Sequence, residues 1–474
     1  MFSKIYFYSF PTVFIERGYA NMTVDIVLKG GKIVSSTGVT EADLAISDGK
    51  IESVSKNSEL SQGGKVLNVS GLFLLPGIID AHVHVCDPGF IRESFRTGTS
   101  AAAVGGVTTI LDMASSGQLR TSSLAMFDKK KSMAENESFV DFGLYGGEIA
   151  DEKDLAQISD LARAGAVGFG EIMMCGDTPV KNDEVLMEAF GLISKAKSIA
   201  AVHAEDNGVL TAMKQRLVSN GRRDVAAFAD ARPNEAEAQA ITKALILARK
   251  ANVNLHVCHL STREGLSLIQ AAKSRGSHVT TEVCPQYLFF TKESYSELGP
   301  ELITTPPVRS KYDSYALWNG LYDGTVDLVV SDHCAFKKKE KNVGLQDIWK
   351  TPPGVPGLET LALVMLGKGV KDGKISLERF VKVSSENPAK LFRFYPKKGT
   401  LQKGSDADIL VVDLHGRHRI KAEDLKCVAD YTPYEGWEVQ AEHIITLVRG
   451  HVVAEKGQVT GKMGYGVFVK PSML

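Results

Sequence analysis

The chain has 474 residues, 44% of them hydrophobic and 23% charged, values that exclude disordered and collagen-like classes and allow two domains. Its 55 basic side chains against 56 acidic ones leave a net charge of −1, so no long-range field recruits nucleic acid or an anionic membrane surface. No apolar run reaches the roughly 18–20 residues of a membrane span.

The first 21 residues carry one early lysine and an aromatic stretch broken by Pro11, which makes a poor secretory signal. They are expected to be a disordered extension, or to precede a true start at Met22. Residues 22–75 read as short strands and glycine turns, as in VDIVLKGGKIV and DLAISDGKIESV, and the same texture returns in 396–460 with DADILVVDL and IITLVRGHVVAEKGQV. The expectation is one small β-sandwich built from both chain ends, with a C-terminal tail at 461–474.

Between them, in 76–395, apolar runs alternate with helix-like segments such as EAEAQAITKALILARKA. The runs fall at 78–85, 107–113, 139–147, 166–174, 199–206, 253–261, 278–285 and 326–333. Near-continuous apolar runs suit parallel strands buried on both faces. A doubly wound open sheet gives a similar string, but eight runs favour an α/β fold of the (β/α)8 TIM-barrel type.

Metal-capable side chains recur at the carboxyl ends of these runs, where barrel enzymes carry their sites: His82 and His84, His203, His259 and Asp332. His82 and His84 are two apart, so in a strand both project to one face and can share an ion. A lone histidine of this kind is more often a satisfied core residue, but the recurrence at four strand ends points to a metal. Imidazoles and a carboxylate suit zinc, and also manganese or iron.

The six cysteines, Cys86, Cys175, Cys258, Cys284, Cys334 and Cys427, show no paired spacing, which suits a reduced, cytoplasmic chain. Cys258 and Cys334 adjoin proposed ligands with the wrong strand parity and read as packing. The basic run at 337–341 reads as a solvated loop.

PGIIDAHVHV, FRTGTSAAAVGGVTTILDM, VHAED, VCHLS, EVCPQYL, TPPVRS, LVVSDHCAF, GVPGLET, SENPAKLF and KGSDADILVVDL, in this order over about residues 24–460, resemble the cyclic amidohydrolases. That group holds dihydropyrimidinase and hydantoinase, allantoinase and dihydroorotase. EVCPQYL and SENPAKLF look most like the dihydropyrimidinase and hydantoinase branch, and YEGWEV more like allantoinase. Dihydroorotases usually carry an arginine two places after the second histidine, where this chain has Cys86.

The resemblance implies metal-dependent hydrolysis of a cyclic amide or ureide, with one or two divalent ions, Zn2+ by preference, and no nucleotide or redox cofactor. It further implies a homodimer or homotetramer, and Asp332 as the residue that orients water and shuttles its proton. Matching positions imply substrate contacts at Asn207, Gln286, Tyr287, Pro307 and Arg309, each of which could equally be loop structure. Gly354, Gly357 and Glu359 are expected to shape the loop after Asp332.

One departure bears on mechanism. Family members usually supply a carboxylated lysine that bridges two metals in a Gly-Phe-Lys motif, and here Gly168, Phe169 and Gly170 fill that motif, with Glu171 next. GFGEIMM also resembles adenine deaminases of the same superfamily, in which the glutamate is a metal ligand. Strand alternation turns residue 171 away from the side that 170 faces, so Glu171 reaches the site only through a bulge or a shifted strand. Otherwise it points outward and the site holds one metal.

Where hydantoinases carry an oxyanion-binding tyrosine, this chain has Met173, Met174, Cys175 and Gly176. Two other functions stay open: a purine-type aminohydrolase, and a silent scaffold like the collapsin-response-mediator proteins.

Overall fold

A computed structural model describes residues 24–56, 64–85, 93–114, 120–176 and 178–472. The expected N-terminal extension and Cys86 lie outside these residues.

Eight parallel strands form the centre of the molecule. They are β6 (Ile78–Val83), β7 (Val107–Asp112), β8 (Asp141–Leu144), β9 (Phe169–Met173), β10 (Ile199–His203), β11 (Asn254–Val257), β12 (Val279–Val283) and β13 (Leu328–Val329). Each lies inside one of the eight apolar runs.

Two hydrogen-bonded arcs, β6-β7-β8 and β9-β10-β11-β12-β13, are joined by parallel bridges between Gly146 and Phe169 and between Val83 and His333. The ring closes as a TIM barrel. Every residue of β6 and β7 is buried, which is why these strands read as near-continuous apolar runs rather than alternating ones.

The chain ends meet in a separate nine-stranded sheet, as expected. Its N-terminal strands are β1 (Ile26–Ser35), β2 (Gly38–Ser47), β3 (Lys50–Ser55), β4 (Lys65–Asn68) and β5 (Phe73–Pro76). From the other end come β14 (Ile409–Asp413), β17 (Glu442–Val448), β18 (His451–Glu455) and β19 (Gln458–Val459), while β15 (His418–Arg419) and β16 (Glu438–Val439) pair as a ribbon.

Antiparallel pairing of β5 with β14, Pro76 opposite Ile409, joins the two halves. Leu28, Leu44, Ile46, Leu74, Ile409, Val411 and Leu447 form a core of their own inside it. Asp48 and Gly49, both with positive φ, make the two-residue turn between β2 and β3 that an Asp-Gly pair favours.

A buried ion cluster ties this sheet to the barrel. Lys398 Nζ lies 2.7 Å from Asp141 of β8, 2.6 Å from Asp408 and 3.3 Å from Asp406.

The segment expected as a tail packs against the barrel: Phe142 N donates to the Val467 carbonyl (3.1 Å) and Val469 N to the Phe142 carbonyl (2.8 Å), and Val469 is buried. Backbone groups at the start of β8 need partners, and the tail supplies them.

The 337–341 run is not wholly solvated. Lys341 is buried and its ammonium donates to the carbonyls of Ile303, Pro352 and Gly354, each at 2.8 Å. Three carbonyl acceptors satisfy the three donors of one ammonium group.

Among the described residues no helix is long and apolar enough to cross a membrane. Their five cysteines are free.

Candidate active site

His82, His84, Glu171, His203, His259 and Asp332 converge at the carboxyl ends of the barrel strands. His82 and His84 face each other with their Nε2 atoms 3.3 Å apart, and Asp332 Oδ1 stands 3.5 Å from each. His203 and His259 lie side by side, ring centroids 4.7 Å apart, and His259 is 5.3 Å from His82 by the same measure.

Glu171 stands between the two groups. Its Oε1 is 2.5 Å from His259 Nε2 and 3.3 Å from His203 Nδ1, and its Oε2 is 3.8 Å from His82 Nε2 and 3.9 Å from His84 Nε2.

Glu171 faces inward because β9 is bulged. Phe169 pairs with Ala200 but Ile172 pairs with Val202, so one extra residue is accommodated opposite Ala201. Gly170 takes φ +149°, and a Cβ there would lie 2.4 Å from the Ala201 carbonyl oxygen. Only glycine fits.

His259 and Asp332 also leave strand geometry, with φ of 29° and 50°. Each lies just past its strand end, in the left-handed region that costs a non-glycine residue about 1–3 kcal/mol and recurs at functional sites.

Neighbours fix which nitrogen of each imidazole is free. Glu282 Oε1 accepts a hydrogen bond from His82 Nδ1–H at 2.5 Å, which turns Nε2 toward His84 and Asp332. Its Oε2 binds His256 Nε2 at 3.0 Å, and its Oε1 accepts the His259 backbone N–H at 3.2 Å. Glu205 accepts a hydrogen bond from His203 Nε2–H at 2.8 Å and is clamped by Arg232 at 2.5 Å, which leaves Nδ1 for the site. Such carboxylate–imidazole pairs orient metal-ligating histidines.

Burial pushes the Glu205 and Glu282 carboxyls up, but Arg232 and His203 around the first, and His82 and His256 around the second, hold both below the usual carboxylate range. Both are therefore anionic acceptors at neutral pH.

The donor set fits a divalent cation. Ligand atoms about 2.0–2.1 Å from a tetrahedral ion stand about 3.3–3.4 Å apart, close to the 3.3–3.5 Å separations among His82, His84 and Asp332. Burial pulls His82 down, yet Glu282, Asp332 and Glu171 push it up to about 10. The carboxylates make the cavity demand positive charge, from protons on the imidazoles or from a metal.

The predicted substrate contacts are placed less favourably. Gln286 and Tyr287 are buried and donate to the carbonyls of Ser331 (3.4 Å) and Pro306 (2.9 Å), and Pro307 is buried in the same loop. Arg309, expected at the substrate, is buried and bonded to neighbouring residues. Its Nε donates to Ser261 Oγ at 3.0 Å, its Nη1 donates to the Arg232 carbonyl, and its Nη2 lies 3.8 Å from Glu205. A buried guanidinium takes the nearest acceptors, here the Ser261 hydroxyl and the Arg232 carbonyl, while Nη2 makes no hydrogen bond. Asn207 is exposed at the start of a helix, where its Oδ1 accepts the Gly176 backbone N–H at 3.4 Å.

Cys258 packs within 4.8 Å of His82 and Glu282, and burial, followed by the charges of Glu282 and Glu171, pushes its thiol well up. It stays a neutral packing residue. His333 is no ligand: Nε2 bonds Glu93 at 2.6 Å and Nδ1 accepts the backbone N–H groups of Gly357 and Leu358. It holds the loop that carries Glu359.

Glu205, Arg232, His256 and Glu282 were not singled out by sequence reasoning. Glu205 stands two residues from His203 and Glu282 sits in EVCPQYL, so the same-face spacing was there to be used.

Fold and site together define a TIM barrel with an imidazole and carboxylate cation cradle at its mouth. Residues 73–453 match the amidohydrolase family, and the chain belongs to that family. It is similar to an L-hydantoinase of Paenarthrobacter aurescens, 39% identical over 451 residues, with 94% of this chain and 98% of the relative covered. A dihydroorotase of Methanosarcina acetivorans is 34% identical over 458 residues, with 94% and 96% covered. The solved L-hydantoinase (dihydropyrimidinase) from Arthrobacter aurescens superposes with a TM-score of 0.91 at 38% identity, over 94% of this chain and 100% of that one.

Proposed function

We propose that this chain is a metal-dependent cyclic amidase that opens a hydantoin or dihydropyrimidine ring to a ureido acid. The observation that carries the reading is the convergence of His82, His84, His203, His259, Glu171 and Asp332 in one cavity. His82, His84 and Asp332 would hold one cation and His203 and His259 a second, with Glu171 shared between them. A divalent ion, in our reading Zn2+, supplies a Lewis acid for the ring carbonyl and lowers the pKa of water.

Asp332 does the proton work. Its carboxylate accepts a proton from the attacking water as the new C–O bond forms, then returns it to the ring nitrogen as the C–N bond breaks. Glu282 and Glu205 keep His82 and His203 in the tautomers that leave a lone pair facing the cavity. Asn207, exposed beside Gly176, is the predicted contact best disposed to meet substrate. Barrel 76–395 would carry catalysis and the composite sheet of 22–75 and 396–460 would brace it, in a cytoplasmic homodimer or homotetramer.

A second reading, hydrolytic deamination of a purine-like base, draws on the inward Glu171 of GFGEIMM. The silent-scaffold reading leaves the converged ligands without a purpose. The test is metal analysis with ring-opening assays on hydantoin, dihydrouracil, allantoin and dihydroorotate, and ammonia release from adenine. Turnover of hydantoin or dihydrouracil is expected. Protein that holds no metal and turns over none of these substrates rejects the enzyme reading.

A further inference from the structure

We infer that the cation cradle assembles without carbon dioxide, its bridging carboxylate being the genetically encoded Glu171 rather than a modified lysine. The inference rests on the metal-site reading above and concerns how that site comes to exist.

A bridging carbamate forms when a neutral lysine amine adds to CO2 and loses a proton, so such a site depends on dissolved CO2. In this chain the lysine position cannot be refilled. Gly170 has φ +149°, and a Cβ there would lie 2.4 Å from the Ala201 carbonyl oxygen and 2.8 Å from Ala201 Cβ.

Glu171 is much shorter than a carboxylated lysine, so its backbone must come closer to the cavity. Flanking glycines allow this: a Cβ on Gly168 would meet the Tyr145 ring at 2.9 Å, so β9 lies against its neighbours with no side chain between. The extra residue opposite Ala201 then turns Glu171 inward, with one carboxylate oxygen to each pair of imidazoles.

No other lysine takes the role among the described residues. The buried ones are Lys130, Lys341 and Lys398. Lys130 pairs with Asp112 at 2.5 Å, Lys341 donates to three carbonyls, and Lys398 sits among three aspartates. The swap thus exchanges a reversible covalent modification for a permanent side chain. Occupancy of the second ion should not vary with CO2.

The test strips the full-length protein with a chelator and restores it with zinc, once in CO2-free buffer and once with 13C-labelled bicarbonate. Metal per chain and the 13C spectrum are read independently of turnover. We expect about two ions per chain in both buffers and no carbamate carbon signal. Glu171→Gln, with its fold checked by near-UV circular dichroism, should lose the second ion in both buffers alike. A second ion that binds only with bicarbonate, or a protein-bound carbamate signal, overturns the inference and leaves the hydrolase reading standing. Failure to bind zinc in either buffer overturns the metal-site reading itself, and the inference with it.

Discussion

Glu171 Oε1 lies 2.5 Å from His259 Nε2 while Oε2 faces His82 at 3.8 Å, so one side chain spans both halves of the cradle. Neutralising it removes an anionic donor from each half. We predict that Glu171→Gln lowers bound metal from about two ions to one or fewer per chain, by elemental analysis. Unchanged stoichiometry would reject the bridge and leave the hydrolase reading intact.

Glu282 holds three partners at once: His82, His256 and the backbone N–H of His259. Glu282→Gln keeps the shape but lets the amide donate, which disturbs the tautomer of His82. The expected effect is a 10- to 100-fold loss of metal affinity, the range found when such orienting partners are removed. Competition with a zinc chelator measures it; an affinity within about twofold of the parent would show that Glu282 does not tune the site.

Lys398 pairs with Asp141, Asp406 and Asp408 where the sheet of the chain ends meets the barrel, with Arg449 also on Asp141 and Lys50 also on Asp406. Lys398→Met removes the buried cation that all three carboxylates share. We predict a loss of about 3–5 kcal/mol in unfolding free energy. Denaturant unfolding of the metal-saturated protein should show it, and a change below about 1 kcal/mol would mean that water or a rearranged neighbour takes over.

Glu359 is buried, which pushes its carboxyl up to about 8 although the Lys426 backbone N–H works the other way. Between 4.5 and about 8 the folded chain therefore keeps a proton that the unfolded chain has released. Stability from this group is full below pH 4.5 and falls as pH rises toward 8, by at most about 1.4 kcal/mol per unit. Glu359→Gln should flatten that part of the stability profile and raise the melting temperature most at pH 8. Parallel melting curves for both proteins across pH 5–8 would refute the assignment.

The eight barrel strands were readable from residues alone because strands buried on both faces are apolar almost throughout, and the count of such runs decided in favour of a closed ring. His82, His84, His203, His259 and Asp332 were readable too, since each stands at a strand end and chemistry limits what imidazoles and a carboxylate do together. Glu171 was legible as a candidate but not as an inward-facing residue. Strand parity points it the wrong way, and only the bulge opposite Ala201, permitted by Gly170, reverses that direction.

Folding also settled what local pattern leaves blank. Glu282 reaches His82 across the barrel and Arg232 clamps Glu205 from 27 positions away, and nothing in the linear order pairs Glu282 with His82, 200 positions away. Arg309 illustrates the converse: its motif suggested substrate, and only the fold shows that two of its donors bond Ser261 and the Arg232 carbonyl. Residue type and spacing state which chemistry is available, whereas burial and the nearest acceptor determine which atom of each side chain is left free to perform it.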